Sequence, residues 1–227
     1  MTYPIKGYFK SFGNYIKITG HGEKESDPKQ ITNIKSAEKV VYLTFDTCPT
    51  DKVDYKIINF LEDNEIEATI FLNVEWYKNN TDKNLNFLKN PLFSIGGHGY
   101  HHKRPMRLSF DEQLLDIREC IDFIKNELGI KIGLYRSPYG RPNEDTINIL
   151  DDFGIKFISW SGSVMDRKVK SLHYNLEQRL ETQLNYGTKS GDILVFHINL
   201  EEENSFQLFK RAYDILKSKG FSFKKIK

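Results

Sequence analysis

From residue 39 onward the chain alternates short apolar runs with amphipathic ones, and that rhythm limits the fold more than any other feature. "KVVYLTF" (39–45), "ATIFLN" (68–73), "FSIGGH" (93–98), "GLYRSP" (133–138), "KFISWSG" (156–162), "DILVFHI" (192–198) and "FSFKKI" (221–226) each read as a strand. Segments 53–64, 109–128, 143–154, 175–187 and 205–220 carry helical periodicity, and 75–90 carries a weaker form of it. About seven strands alternating with about six helices is the pattern of a parallel sheet or βα barrel. The fold expected is therefore α/β: a distorted, seven-stranded (β/α) barrel in one domain over 38–227. Residues 1–37 are polar and turn-rich and read as an N-terminal extension with a short hairpin at "NYIKIT".

The helical faces follow from the spacing. In 109–128, Ser109 and Glu112 form a capping box, Leu114, Ile117, Ile121, Ile124 and Leu128 line one face, and Gly129 stops the helix. In 53–64, Val53, Ile57, Phe60 and Leu61 share a face; in 143–154, Asn143 caps and Gly154 stops.

Composition excludes several classes. With 33 basic and 31 acidic residues the net charge is +2 and no segment has a basic excess, so no nucleic-acid partner is expected. Cys48 and Cys120 are the only thiols, too few for a disulfide framework. No run of about 18 apolar residues is present, so no membrane span is expected. The stretch "MTYPIKGYFK" has no apolar core of signal-peptide length. A chain complete as given is expected in the cytoplasm, and a piece of a longer one at the cell envelope or outside it.

The polar residues that stand out sit at the carboxyl ends of the expected strands, where a barrel builds its active site. Asp46 closes "YLTFD", and a carboxylate at the mouth of a buried strand is costly unless it has a partner or a task. Arg136, near the end of "GLYRSP", is suited to pair with Asp46 and hold it ionised and oriented. "GGHGYHH" places His98 and His102 four residues apart, so that in a helical turn both imidazoles point the same way and share one metal ion. His101 is read as facing solvent or supporting the ligands. The alternative for these histidines is a polar surface loop. Tyr139, between Pro138 and Gly140, lies in a rigid turn whose amide is placed to face an oxyanion. His197 ends "DILVFHI", where a lone histidine is more often a satisfied core residue; the groups at the other strand ends give it weight.

Taken in order, these segments resemble the polysaccharide deacetylase family, carbohydrate esterase family 4. "TFDTCP" is similar to the family's Thr-Phe-Asp-Asp-Gly-Pro, "HGYHH" to its His-Ser/Thr-x-x-His, "RSPYG" to Arg-x-Pro-Tyr-Gly, "WSGSVMD" to its Trp and Asp segment, and "LVFH" to Leu-x-x-His. The resemblance implies metal-assisted hydrolysis of N-acetyl groups on an amino sugar in a glycan, peptidoglycan-like or chitin-like. It implies a divalent cation, zinc above others, on His98 and His102. It implies Asp46 as the base, Arg136 as its tuning partner, the Tyr139 amide on the oxyanion, His197 as the acid for the leaving amine and Asp166 as the residue that orients His197.

Departures from the pattern bear on the metal. Thr47 stands where the family has a second Asp that ligates the cation, and its hydroxyl is a poorer ligand. Cys48 stands where Gly is usual; it is read as a packed thiol, although a thiolate beside two histidines suits zinc. Gly99 replaces Ser/Thr, Ser163 replaces an Asp, and Arg167 stands where Trp is common. A hydrolase of another small amide or ester, and a non-catalytic carbohydrate-binding protein on the same fold, remain the alternatives.

Overall fold

The computed structural model describes residues 30–163, 184, 187–199 and 205–227. The strands are β1 (Gln30–Ile31), β2 (Val40–Asp46), β3 (Ala68–Leu72), β4 (Phe93–Gly97), β5 (Leu134–Tyr135), β6 (Lys156–Ile158), β7 (Gly162–Ser163), β8 (Ile193–His197) and β9 (Ser222–Lys224). The helices are α1 (Tyr55–Asp63), α2 (Val74–Lys78), α3 (Phe110–Leu128), α4 (Glu144–Asp152) and α5 (Ser205–Ser218). The hairpin expected at "NYIKIT" and the helix expected at 175–187 lie outside the described residues, save for 184 and 187.

The strands form one sheet in the order β1-β6-β5-β4-β3-β2-β8-β7, with β9 paired to the start of β2, and each pairing between these described strands is parallel. This is the curled sheet of a distorted (β/α) barrel, as the alternation implied. Residues 30–34 of the N-terminal extension are tied to it, with Ile31 in register with Ile158 and the Ile34 amide bonded to the Gly191 carbonyl.

A two-residue period explains how the sheet delivers polar groups to one place. On β2, Val41, Leu43 and Phe45 face outward and pack under the helices, whereas Val40 and Tyr42 join Phe71, Leu134, Ile158 and Ile193 in a separate inner cluster. Thr44 and Asp46 continue that inner row. On β8 the inner row is Ile193, Val195 and His197, and the register sets His197 directly beside Asp46. The inside of the sheet is therefore apolar at the amino ends of the strands and polar at their carboxyl ends. Gly96 lies inward on β4, where an added Cβ would sit 2.7 Å from the Phe71 ring.

The helices differ from the sequence reading in face more than in extent. α3 has the expected capping box and a left-handed Gly129. Its buried residues, however, are Gln113, Asp116, Ile117, Cys120 and Ile124, while Leu114, Ile121 and Leu128 are only partly covered. The stripe is rotated by about one residue toward two polar side chains that both find partners. In α1, Ile57, Ile58 and Leu61 are buried, with Phe60 and Val53 packed at the edge. The weak helical segment 75–90 resolves into α2 and a 3-10 turn at Asn86–Lys89.

Gly191 is under steric compulsion from the backbone. Gly191 has φ +87°, and a Cβ there would lie 2.2 Å from the Ile34 carbonyl oxygen. Gly191→Ala combines a left-handed alanine with a backbone clash. It is expected to cost about 2 kcal/mol or more, measured as a lower urea midpoint, because the left-handed conformation alone costs about 1–2 kcal/mol.

Candidate active site

Asp46 and Arg136 form the buried centre. Arg136 is fully buried and Asp46 nearly so. The guanidinium donates from Nη1 to Asp46 Oδ1 at 2.8 Å and to Thr44 Oγ1 at 2.7 Å, from Nε to the Ile158 carbonyl at 3.2 Å, and from Nη2 to the Ser159 carbonyl at 3.0 Å. Thr44 Oγ1 in turn donates a hydrogen bond to the Leu194 carbonyl at 2.8 Å. The guanidinium also lies 4.2 Å from the centre of the Phe71 ring. A buried cation is tolerable here because four donors have acceptors and one of those carries the opposite charge.

The electrostatics of Asp46 are a contest. Burial raises its carboxyl, and Arg136, followed by His98 and His197, more than reverses that, so the group is held below its ordinary value. Oδ1 is committed to Arg136, while Oδ2 lies 3.9 Å from His98 Nε2.

His98 is presented in one tautomer. Its Nδ1 lies 2.8 Å from the Arg136 carbonyl, and a carbonyl only accepts, so Nδ1 carries the proton. Nε2 is left with its lone pair facing Asp46. Burial pushes the imidazole below its ordinary value and favours this neutral form, against the pull of Asp46 in the other direction.

His98 and His102 do come together, with ring centres 5.1 Å apart at 67°, but the helical turn expected from their spacing is absent. The chain instead makes a tight loop with Gly99 at φ +77° and His102 at φ +51°. Two side chains that sequence reasoning did not single out hold this loop. Asn73, the N-cap of α2, donates to the carbonyls of Gly99 and Tyr100 at 2.9 and 3.1 Å. Asp116 of α3 accepts from the amides of Tyr100 and His101 at 3.1 and 2.9 Å. Asp116 lies on the buried face of α3, off the apolar stripe that the spacing marks. Asp116→Ala is expected to cost about 1–2 kcal/mol by stripping acceptors from two amides. Hydrogen exchange should report it as faster exchange of the 98–102 segment, with β2 unaffected.

His101 turns away from the pair, 40% exposed and 2.8 Å from Glu75 Oε1. Thr47 is fully buried and its hydroxyl serves the framework, accepting from the Asn73 amide at 2.8 Å and donating to the Phe71 carbonyl at 3.4 Å. Cys48 is buried, and its Sγ lies 3.5 Å from His102 Nε2.

Tyr139 sits in the Pro138–Gly140 turn at φ +63°, a strained setting for a non-glycine residue, with its ring 4.9 Å from His102 and the Arg104 guanidinium 4.3 Å from it. Gly140 is required beside it, since a Cβ would meet the Trp160 ring at 1.9 Å. Asp166, Arg167 and their segment lie outside the described residues.

Among the described residues, no three His, Cys, Asp or Glu side chains are gathered into a ready cation site. The donor chemistry nonetheless suits a cation such as zinc. His98 offers a neutral nitrogen oriented by a carbonyl behind it, which is how metal-bound histidines are held. The ring separation also matches two imidazoles on one tetrahedral ion, whose centres stand about 5 Å apart for bonds of about 2.0–2.1 Å.

Comparison with known proteins bears on the family and the fold. A family model described as polysaccharide deacetylase matches residues 33–158. The peptidoglycan-N-acetylmuramic acid deacetylase PdaC of Bacillus subtilis is 31% identical over 121 residues, covering 52% of this chain and 25% of that protein. The peptidoglycan-N-acetylglucosamine deacetylase of Bacillus cereus is 28% identical over 131 residues, covering 56% of this chain and 46% of that protein. The aligned part is thus less than half the length of either relative. In fold, the chain is similar to wild-type BA3943, a CE4 family pseudoenzyme from Bacillus anthracis, with a TM-score of 0.74 at 21% identity over 95% of this chain and 79% of that one. A mutant of that pseudoenzyme is described as having restored enzymatic activity.

Proposed function

The chain belongs to the polysaccharide deacetylase family, and on that premise we propose that it removes N-acetyl groups from amino sugars in a peptidoglycan-like or chitin-like glycan. The observation that carries this reading is the buried Asp46 carboxylate, with one oxygen fixed by Arg136 and the other facing His98 Nε2. A carboxylate held ionised, oriented and half uncommitted is fitted to take a proton from water.

His98 and His102 are the residues that would hold a divalent cation, zinc by their donor type. When bound, that cation supplies Lewis acidity, polarising the acetyl carbonyl and making water more acidic. The chain's own groups do the rest. Asp46 takes the proton of the attacking water. The Tyr139 amide, fixed in its turn, donates to the carbonyl oxygen as it gains charge. His197, beside Asp46 in the sheet register, gives a proton to the nitrogen as the C–N bond breaks. The products are acetate and the free amine, and one water is consumed. Asp166 would orient His197.

A second reading, a glycan-binding protein without turnover, draws on Thr47 standing in the position of the ligating Asp. Acetate release separates the two. N-acetylglucosamine oligomers and purified peptidoglycan, incubated with zinc-treated protein, should yield acetate and free amines in equal amounts. Zinc uptake and glycan binding without acetate would favour the binding protein.

A further inference from the structure

The structure leaves the cation without the carboxylate ligand that the family pattern supplies, and it leaves a thiol close to one histidine. Thr47 does not fill the gap, because its hydroxyl is taken by Asn73 and Phe71. We propose that Cys48 is the third protein ligand, so that this chain holds its metal through one thiolate and the two imidazoles of His98 and His102. The inference rests on the reading of His98 and His102 as the metal pair and deepens it.

Three observations carry it. The Cys48 Sγ to His102 Nε2 separation is 3.5 Å. A sulfur and a nitrogen on one tetrahedral zinc, with bonds of about 2.3 and 2.0–2.1 Å, stand about 3.5 Å apart, so the pair already has the span of one edge of such a site. The His98–His102 ring separation of 5.1 Å meets the same test for a second edge. Third, Cys48 is held in place rather than mobile: its side chain is buried, and Asn199 Nδ2 donates to its carbonyl and to Thr50 Oγ1.

The charge balance agrees. Replacing Asp by Thr removes one negative ligand, and a cysteine that releases its proton to solvent on binding the cation restores it. Among the described residues the three donors do not converge on a single point; the ion would take the place of the thiol proton between sulfur and imidazole and gather them. A thiolate with two imidazoles selects zinc or cobalt over magnesium, manganese or calcium, whose preferred ligands are oxygens. The outcome is a deacetylase site with a narrower choice of metal.

Cobalt substitution tests this directly, because the chain has two cysteines only. The protein of residues 1–227, stripped with chelator and titrated with Co2+, should bind one ion and show a near-ultraviolet sulfur-to-cobalt charge-transfer band. Cys120→Ser should keep the band. Cys48→Ser should lose it and bind cobalt more than about 100-fold more weakly, beyond the roughly 10–100-fold loss typical of an outer partner. Bound cobalt with no such band in the unmodified protein, or a band that survives in Cys48→Ser, would overturn the proposal. A cobalt form that releases acetate without the band sinks only the thiolate; one with the band but no acetate sinks only the deacetylase reading. Failure to bind any cobalt sinks both the thiolate and the metal pair.

Discussion

Arg136→Met is expected to destabilise the fold by about 3–5 kcal/mol, the cost of leaving a buried charge without its partner. Methionine keeps an apolar stem against Phe71 but removes the donors to Thr44, Asp46, Ile158 and Ser159. The pH dependence should change sign as well. In the unmodified protein Asp46 is held below its ordinary value near 3.8, so its contribution to stability is complete above that pH and is lost as pH falls through the lower folded value. Without Arg136, burial dominates and raises the carboxyl. The folded state then binds the Asp46 proton more tightly than the unfolded one, so this carboxyl adds stability to the variant as pH falls from neutrality toward 4, a range in which it contributes no slope to the unmodified protein. Urea midpoints at several pH values check this. The acid limb of the activity profile should move upward for the same reason, since the base is protonated sooner. An unchanged midpoint and profile would mean that the ion pair carries neither stability nor tuning.

Asp46→Asn is expected to reduce turnover by about 10²–10⁴-fold, the range for loss of a positioned general base. The amide retains an oxygen for Arg136, and the guanidinium keeps its two carbonyls and Thr44, so the stability cost should fall at or below the low end of that for Arg136→Met. Zinc uptake should persist, because the expected ligands are untouched. Acetate release per folded, zinc-loaded molecule is the measurement, with the folded fraction taken from a denaturation curve. Full turnover in this variant would remove Asp46 from the role of base.

Strand positions were legible because each buried strand is an apolar run cut by turn residues. β2, β3, β4 and β8 fall within one or two residues of their expected bounds. The segment 156–162 was less legible: it divides into β6 and β7, since at 159–161 the chain leaves one pairing and joins another, Ser159 bonding to Ile31 and Ser161 to Ile193. β1 left no pattern to read, because two residues have no period. The Asp46–Arg136 pair was legible from chemistry at strand ends, and the meeting of His98 with His102 from spacing, although a loop with two left-handed residues brings it about rather than a helix. Asn73 and Asp116 were missed because their partners are main-chain groups of the 98–101 loop, and sequence patterns describe side chains.

The most direct test of the account is anomalous diffraction at the zinc edge from crystals of the zinc-treated protein. The account predicts a single strong peak about 2.0–2.1 Å from a nitrogen of both His98 and His102, with the Asp46 carboxylate beside it. No peak between those rings, with the imidazoles apart and Asp46 turned to solvent, would contradict it.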